Sequence, residues 1–415
     1  MPMWTALAEG SWLTAERMRA AAIASLAVGL AAFAWLFATA HGTLDAWGRP
    51  LGTDFSDVYA AGRMALEGRA AAAWDWPSHY AVQQAVHHDP HVPFYGWHYP
   101  PPFLILAALL ALLPYVTALL AWQATTLAAS AALVRAILPG RRALLIALGA
   151  PVVFICLGHG QNGFLTAALL GGGLFLLDRR PILAGLMLGA LVYKPQFGLL
   201  IPPLLLVGGH RRAFAGATAA ALALIAASLA LWGAPVWEAF VHSLPLTRSV
   251  VIESGATGWG KIQSPFAMVR MWGGDVPLAY AVQGAATLAA IGAALWLTRT
   301  SAPALRNAAA CAAAILSTPY VLDYDYVVLG IGAAFLVRDG LDRGVLGWEK
   351  SLLAFVWCAP LFARQVATLT LIPIGQATAA IVLALAIRRA LVLDGAGRAR
   401  IRAWPSRRSH GASLP

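Results

Sequence analysis

Apolar stretches recur along nearly the whole chain, and short polar breaks that often contain arginine pairs separate them. Inside a bilayer no water is available to satisfy backbone N–H and C=O groups, so such stretches must form helices or a closed barrel. Sixty per cent of the 415 residues are hydrophobic and only 11% are charged, whereas ordinary soluble domains contain about 25% charged residues. The uninterrupted apolar runs lack strand-like alternation, so the sequence predicts an all-α polytopic membrane protein.

The polar breaks divide the sequence into about twelve predicted transmembrane helices. Several are shorter than the roughly 20 residues that cross a bilayer squarely. The apolar run 101–113 is shorter still and begins with prolines, so we interpret it as a re-entrant or interfacial helix. The predicted spans lie near residues 20–40, 115–138, 143–158, 163–178, 181–194, 196–209, 213–233, 276–298, 303–319, 325–337, 349–367 and 371–389.

The distribution of basic residues predicts which ends of the transmembrane helices face the cytoplasm. Most of the 29 lysines and arginines, including Arg141/Arg142 and Arg179/Arg180, fall on one predicted face, which the positive-inside rule assigns to the cytoplasm. Residues 1–19 are then a cytoplasmic N-terminus, 20–389 the membrane domain beginning with an uncleaved signal anchor, 41–114 a large first extracytoplasmic loop with interfacial helices, and 390–415 a basic cytoplasmic tail. This distribution attributes the net charge of +11 to lipid contact and argues against nucleic-acid binding.

The remaining polar residues collect on the opposite, extracytoplasmic face. They come from five segments: 41–100, 158–163, 193–196, 234–275 and 317–326. One explanation is that loops are polar in general. The other is a functional site, because polar groups at helix ends in a membrane cost free energy unless they are paired or hydrated, and here several helices contribute them to one side.

Lys194 is one of only three lysines, and it ends an apolar segment directly before a proline. A lysine in this position can extend its ammonium group to the membrane surface while its stem stays in apolar surroundings. On the extracytoplasmic face the positive-inside rule disfavours it, so an anionic partner such as a phosphate is the second interpretation.

The segment GHGQNG places His159, Gln161 and Asn162 between glycines at a turn joining two predicted helices. One interpretation is a tight turn whose amide side chains satisfy backbone groups. The other is hydrogen bonding to a sugar or phosphate, because side-chain amides donate and accept at once.

The segment GTDFSDVYAAGR contains two acids, Asp54 and Asp57, directly before a run compatible with a helix. Asp54 suits the N-cap of that helix, and Asp57 suits its first turn, where the helix dipole favours a negative charge. A carboxylate at the membrane surface acting as a general base is the functional alternative, above all for Asp54.

The first loop is rich in aromatic residues, which suit an interfacial belt or the stacking of sugar rings. They include Trp74, Trp76, Tyr95, Trp97 and Tyr99.

The run HHDPH at residues 87–91 offers metal-ligand types, but no predicted span supplies a completing ligand, so we expect no metal. The three cysteines, Cys156, Cys311 and Cys358, are widely spaced within apolar segments, which indicates packing roles rather than a disulfide or zinc site.

Taken in order, the motifs GTDFSDVYAAGRMALEG, HYPPP, GHGQNGFLTAALLGGG, GLMLGALVYKP and STPYVLDYDY resemble glycosyltransferase family 87. The resemblance runs from about residue 20 to about residue 340. It implies a GT-C-type fold with an extracytoplasmic active site beneath the first large loop. By position it makes Asp54 the catalytic base and Lys194, followed by Pro195, a contact of the donor phosphate.

The expected site includes further residues with less defined roles. Arg63 and His159 are candidates to assist at the phosphate, and Gln161, Asn162 and Tyr99 are candidates to bind the donor. Asp57 stands where the family usually has an apolar residue, and the late motif differs from relatives that carry a histidine. The accessory candidates are therefore Asp57, Tyr320, Asp323 and Asp325.

The resemblance implies an inverting glycosyltransferase of a bacterial inner membrane. It would transfer a sugar, with mannose expected, from a polyprenyl phosphate to a lipid or glycan acceptor. Neither a metal nor a nucleotide is expected as cofactor. A lipid-carrier flippase or solute transporter is the alternative from another class, because intramembrane polar groups also mark transport paths; the chain shows no inverted repeat of the kind many transporters contain.

Overall fold

A computed structural model describes residues 3–394, and the described chain is helical throughout, with no strand beyond isolated bridges. The predicted all-α class is therefore confirmed. Most of the basic tail predicted at 390–415 lies outside the described residues. The first helices are α1 (Met3–Glu9), α2 (Ala15–Ala38), α3 (Phe55–Leu66), α4 (Trp76–His87), α5 (Pro101–Leu110), α6 (Tyr115–Ile137), α7 (Arg141–Leu148), α8 (Pro151–His159), α9 (Gly163–Leu176) and α10 (Pro181–Gly189).

The second half of the chain continues in the same way, with short 3-10 turns at Ala70–Trp74, Ala190–Tyr193, Asp323–Tyr326 and Ala359–Leu361 and π-helical turns at Arg248–Glu253 and Ala390–Asp394. Its helices are α11 (Pro195–Gly198), α12 (Ile201–Val207), α13 (Arg211–Trp232), α14 (Ala234–Thr247), α15 (Pro265–Met271), α16 (Val276–Thr300), α17 (Pro303–Leu316), α18 (Val327–Arg343), α19 (Glu349–Cys358), α20 (Ala363–Thr370) and α21 (Ile374–Arg389).

Each predicted span coincides with helical structure, but five described helices are long and apolar enough to cross a membrane alone. These are α2, α6, α13, α16 and the segment Ile374–Asp394. Two bent pairs, α7 with α8 at 52° and Glu349–Leu361 with α20 at 76°, raise the number to seven. Pro151 lies at the break between α7 and α8, and Pro195 interrupts another apolar run, because proline lacks the N–H that continues a helix. The prediction of about twelve full spans is therefore not confirmed.

The helices pack around α17, in which every residue from Leu305 to Leu316 is buried. Its alanine-rich sequence lets α16, α18 and α21 approach closely on different sides. In contrast, α2 buries only Ala22 and Gly29, so its apolar surface is free to contact lipid. The first loop is not loose, because α3 is almost wholly buried and packs against α5.

The loop aromatics divide between core and surface. Trp74 and Trp97 are buried and contact each other edge to face, with their ring centroids 6.3 Å apart. Trp76 and Tyr95 are half-buried. Membership of an interfacial belt is therefore wrong for Trp74 and Trp97, because the folded loop encloses them.

Glycines allow a close contact between α10 and α13. A Cβ atom added at Gly185 would lie 2.1 Å from the carbonyl oxygen of Ala213, and one at Gly189 would lie 2.1 Å from that of Ala217. The spacing of four residues between Gly185 and Gly189 places both on one face of α10. This is the small-residue pattern that lets membrane helices approach backbone to backbone.

We expect Gly185→Ala to destabilise the protein, because the added methyl group must push α10 away from α13; overpacking of this kind costs about 1–3 kcal/mol. The measurement is thermal unfolding of the purified protein in detergent. Gly292→Ala in α16 is the matched control, since nothing lies within 4 Å of a Cβ there. Equal melting temperatures for the two variants would show that the glycine contact does not hold α10 against α13.

Candidate active site

A polar network lies where helices end or break at one end of the bundle. Seven segments contribute to it, and all of them are positioned by a helix terminus or by a break between helices. The polar network consists of Asp54, Tyr99, His159, Gln161, Asn162, Lys194, Lys261, Asp323, Tyr324, Asp325 and Arg364.

Lys194 and Asp325 form the buried centre of the polar network. The Lys194 ammonium donates to Asp325 Oδ1 and to Asn162 Oδ1, the latter at 3.0 Å. The two side chains are 3% and 2% exposed. Asp325 Oδ2 also accepts the backbone N–H of Leu322 at 3.0 Å, at the start of the short turn. The anionic partner expected for Lys194 is therefore present within the protein, and the lysine does not extend to the membrane surface.

Amide side chains connect this pair to Asp54. Asn162 Nδ2 donates to the Tyr99 hydroxyl at 2.8 Å, and that hydroxyl donates to Gln161 Oε1 at 3.0 Å. Gln161 Nε2 then donates to Asp54 Oδ2 at 3.1 Å. The turn interpretation of GHGQNG holds for Gly160, which adopts a positive φ of 63°. The side-chain amides of Gln161 and Asn162, which follow Gly160, bind side chains of the polar network, and Gln161 Oε1 also accepts the backbone N–H of Asn162 at 3.2 Å.

Asp54 stands at the start of α3, but its side chain forms no capping hydrogen bond. The N-cap interpretation is therefore wrong for this residue. Its carboxylate lies 3.3 Å from Lys261 Nζ and 3.6 Å from His159 Nδ1. Burial alone would raise the pKa of Asp54, but the Lys261 and His159 charges and the hydrogen bonds lower it well below its usual range. Asp54 is thus held as a carboxylate by groups from two other segments, the one with Lys261 and the one with His159 and Gln161.

Asp57 lies in the first turn of α3, as predicted. It is 4% exposed, and its Oδ1 atom is buried without a hydrogen-bond partner. Burial, with a further contribution from the Asp54 charge, raises the pKa of Asp57 well above its ordinary value. The two acids of this segment are therefore opposite in character, since one is held ionised and the other is driven toward its neutral form.

Arg364, at the start of α20, forms an exposed edge of the polar network. Its Nε atom donates to Asp323 Oδ2 at 2.9 Å, and its Nη2 atom lies 3.3 Å from His159 Nε2. The Arg364 side chain is 38% exposed. His159 therefore lies between Arg364 and Asp54, and its Nδ1 atom contacts the Thr53 hydroxyl at 2.9 Å.

The aromatic ring of Tyr324 lies near both lysines of the site. Lys194 Nζ lies 5.4 Å and Lys261 Nζ 5.8 Å from the centre of this ring. A cation near an aromatic face is stabilised by the ring's quadrupole. Tyr320, from the same motif, is half-buried and contacts the His98 ring at 6.5 Å, so it lies beside the polar network without a hydrogen bond to its members.

One prediction about participating residues needs correction. Arg63 is not brought to the polar network, because it pairs with Glu67 one helical turn away at 3.2 Å and is 47% exposed. The HHDPH run, for which no metal was expected, has other contacts. His87 instead contacts Thr43 and Ser56, at 2.8 Å each, and within residues 3–394 no group of three His, Cys, Asp or Glu side chains is placed to hold a metal ion.

Lys261 and Arg364 were missed in the sequence, although each carried a signal. Lys261 is as rare as Lys194 and lies in the extracytoplasmic loop 234–275. Arg364 is a charged residue inside a predicted span, where an ionisable group marks function by default. Their acidic partners are far away in sequence, so only the fold shows which charges meet.

The fold and the site define a helical membrane protein with several apolar helices and a buried set of acid–base pairs at one end. The family model of glycosyltransferase family 87 matches residues 97–321, more than half of the chain. The chain therefore belongs to this family and is a glycosyltransferase. No curated protein and no solved structure matches it significantly. The matched region contains Tyr99, His159, Lys194 and Lys261, whereas Asp54 precedes it.

We expect Lys194→Met to destabilise the protein strongly, because it leaves the Asp325 carboxylate buried without its cation. Breaking a buried ion pair from one side costs about 3–5 kcal/mol. The double variant Lys194→Met/Asp325→Asn should recover more than half of that loss, measured as the free energy of unfolding in mixed micelles.

The exposed pair of Arg63 and Glu67 is the matched control for this cycle. Arg63→Met should change the free energy of unfolding by no more than about 1 kcal/mol, since exposed ion pairs contribute little. A double variant at Lys194 and Asp325 that is no more stable than Lys194→Met alone would contradict the pairing.

Proposed function

We propose that the protein transfers a sugar from a polyprenyl phosphate to a hydroxyl group of a lipid or glycan acceptor, with inversion at the anomeric carbon. The observation that carries this proposal is the polar network itself, which pairs three acids with three cations at one end of the helices. We assign this end to the extracytoplasmic face of a bacterial inner membrane, with both termini in the cytoplasm, because the arginine pairs lie at the other helix ends. Mannose is the proposed sugar, on the strength of the family resemblance.

The leaving phosphate needs cations that a ligand can reach. Lys194 is enclosed and already bound by Asp325 and Asn162. The Lys261 side chain is 15% exposed, and that of Arg364 is 38% exposed. Lys261 and Arg364 therefore suit the donor phosphate better than Lys194, the residue favoured from sequence. Their charges would stabilise the negative charge that grows on the phosphate as the sugar departs.

Lys194 acts in this scheme through the residues that it holds. It fixes Asn162, which donates to Tyr99, which in turn orients Gln161 toward Asp54. A hydrogen-bonded series of this kind keeps the amide groups in place for sugar hydroxyls. Lys194 is thus a positioning residue, and it stays apart from the reacting atoms.

Asp54 is the proposed general base. Its ion pair with Lys261 depresses the pKa of Asp54 and makes it a weak base. A bound phosphate would compete for the Lys261 ammonium, and the Asp54 pKa would rise toward the range that a base requires. Donor binding would thereby activate the base.

The reaction then proceeds as a single displacement. The acceptor oxygen attacks the anomeric carbon from the face opposite the phosphate, and its proton passes to Asp54. The bond between the anomeric carbon and the phosphate oxygen breaks, and the electron pair leaves with the polyprenyl phosphate. Side-chain cations carry the charge stabilisation in this scheme, so it calls for no nucleotide or metal.

We expect Asp54→Asn to lower the rate of sugar transfer by about 10²–10⁴-fold, the usual contribution of a positioned general base. The assay supplies polyprenyl-phosphate mannose to membranes that contain the variant and follows labelled sugar in the acceptor fraction. Asp89→Asn, in the same loop but outside the polar network, should retain wild-type transfer. If Asp54→Asn stayed active and Asp57→Asn were inactive, the base would have to be reassigned to Asp57.

We expect Lys261→Met to raise the KM for the donor at least about tenfold, because it removes a cation from the phosphate site and one charged contact contributes 1.5–3 kcal/mol. Lys261→Arg should retain part of the affinity, since the charge remains. The measurement is initial transfer rate against donor concentration. Arg248→Gln is the control, because this arginine is 64% exposed and pairs with Glu253 outside the polar network. An unchanged donor KM in Lys261→Met would show that Lys261 does not bind the donor phosphate.

A further inference from the structure

A large apolar cavity lies within the helical bundle, away from the polar network. Its volume is about 550 Å³. Residues of α2, α6, α7, α8, α18 and α19 line it, and nearly all of them are apolar, as Leu127, Leu145, Ile331 and Leu353 illustrate. A space of this size and character inside a membrane protein suits a hydrocarbon chain.

The two ends of the cavity differ in charge. One end is lined by Phe164 and Tyr326, which are near the polar network residues Asn162 and Asp325 in sequence. The other end is lined by Arg19, Arg142 and Lys350, all of them exposed. The cavity therefore extends from an apolar interior to a basic rim, which consists of Arg19, Arg142 and Lys350.

The basic rim has no acidic partner of its own. None of Arg19, Arg142 and Lys350 forms an ion pair within residues 3–394. The one acid that lines this end, Glu349, is buried and already paired with Arg389 at 2.6 Å. Three uncompensated cations beside an apolar cavity favour a ligand that has an anionic head and a hydrocarbon tail.

The position of the rim distinguishes this ligand from the sugar donor. Helix α18 runs along the cavity for 17 residues, or about 25 Å at 1.5 Å per residue. It begins next to Asp325 and ends near Lys350. A phosphate at the rim is thus roughly a membrane's thickness from Asp54, where a donor phosphate would have to react.

We propose that this cavity binds an anionic glycerophospholipid, with an acyl chain between the helices and the phosphate at Arg19, Arg142 and Lys350. The lipid enters from the leaflet opposite the polar network. Its chain packs against the residues that precede α18 and begin α9, and so supports the segments that carry Asp325 and Asn162. This site is independent of the sugar chemistry and does not rest on the proposed donor.

The test compares two lipids by native mass spectrometry of the delipidated protein. Phosphatidylglycerol and phosphatidylcholine of the same acyl composition are titrated separately. We expect the triple variant Arg19→Gln/Arg142→Gln/Lys350→Gln to bind phosphatidylglycerol about 100-fold more weakly, since each basic residue contributes roughly fivefold. Its binding of phosphatidylcholine should not change. The control triple variant Arg179→Gln/Arg180→Gln/Arg299→Gln removes three basic residues that do not line the cavity and should bind as the wild type does.

A second variant tests the cavity without changing charge. Nothing lies within 4 Å of a Cβ at Gly330, which lines the cavity, so Gly330→Leu should fill it without strain. We expect this variant to lose tight phosphatidylglycerol binding while keeping its melting temperature. Wild-type affinity in both the rim variant and Gly330→Leu would overturn the proposal. Polyprenyl phosphate displacing phosphatidylglycerol from the site, with the rim required for both, would overturn the choice of lipid.

Discussion

The buried pair of Lys194 and Asp325 is the interaction on which the rest of the site depends. Each residue lies where a helix is interrupted, Lys194 before Pro195 and Asp325 within a short turn before α18. Interrupted backbone is tolerated inside a membrane only when its polar groups are satisfied. The Asp325 carboxylate does so by accepting the Leu322 N–H while it binds Lys194. The ion pair between Lys194 and Asp325 therefore stabilises the two helix breaks, and the breaks hold the two charged residues together. Polar residues find room between the helices where the helices are interrupted.

From this pair the hydrogen bonds extend in one direction to Asn162, Tyr99, Gln161 and Asp54. Exposure rises along the same path, because the central pair is enclosed and the outer cations Lys261 and Arg364 are partly accessible. The inner part thus serves stability and position, and the outer part is free to meet a ligand. A lysine and an arginine at the edge also suit a phosphate differently, one as a point charge and the other as a planar fork.

Hydropathy predicted the helical class and the helices of the apolar segments, because the cost of unsatisfied backbone in lipid acts on each segment separately. It did not locate α1, α14 or α15, which lie in segments interpreted as a terminus or a loop. The number of complete spans is not confirmed, because apolar length does not reveal where a proline divides an apolar run into two short helices. The scarcity of lysine in the sequence marked Lys194 as unusual. It did not identify Asp325 as its partner, which is 131 residues away. Similarly, capping preference favoured an N-cap for Asp54, yet long-range bonds to Gln161 and Lys261 determine its orientation. Local rules fail at this site because distant charges outweigh them.

The balance of charge in the site explains why Asp57 is neutral. Asp54, Asp323 and Asp325 are matched by Lys261, Arg364 and Lys194, so the side-chain charges of the site sum to nearly zero when Asp57 is neutral as well. An ionised Asp57 would add an unpaired negative charge next to Asp54, in a buried position where a lone charge is costly. It would also repel an incoming phosphate. The shift of the Asp57 pKa toward the neutral acid removes both penalties. A neutral carboxyl group can therefore stay buried beside Asp54 without opposing the charge of the proposed donor.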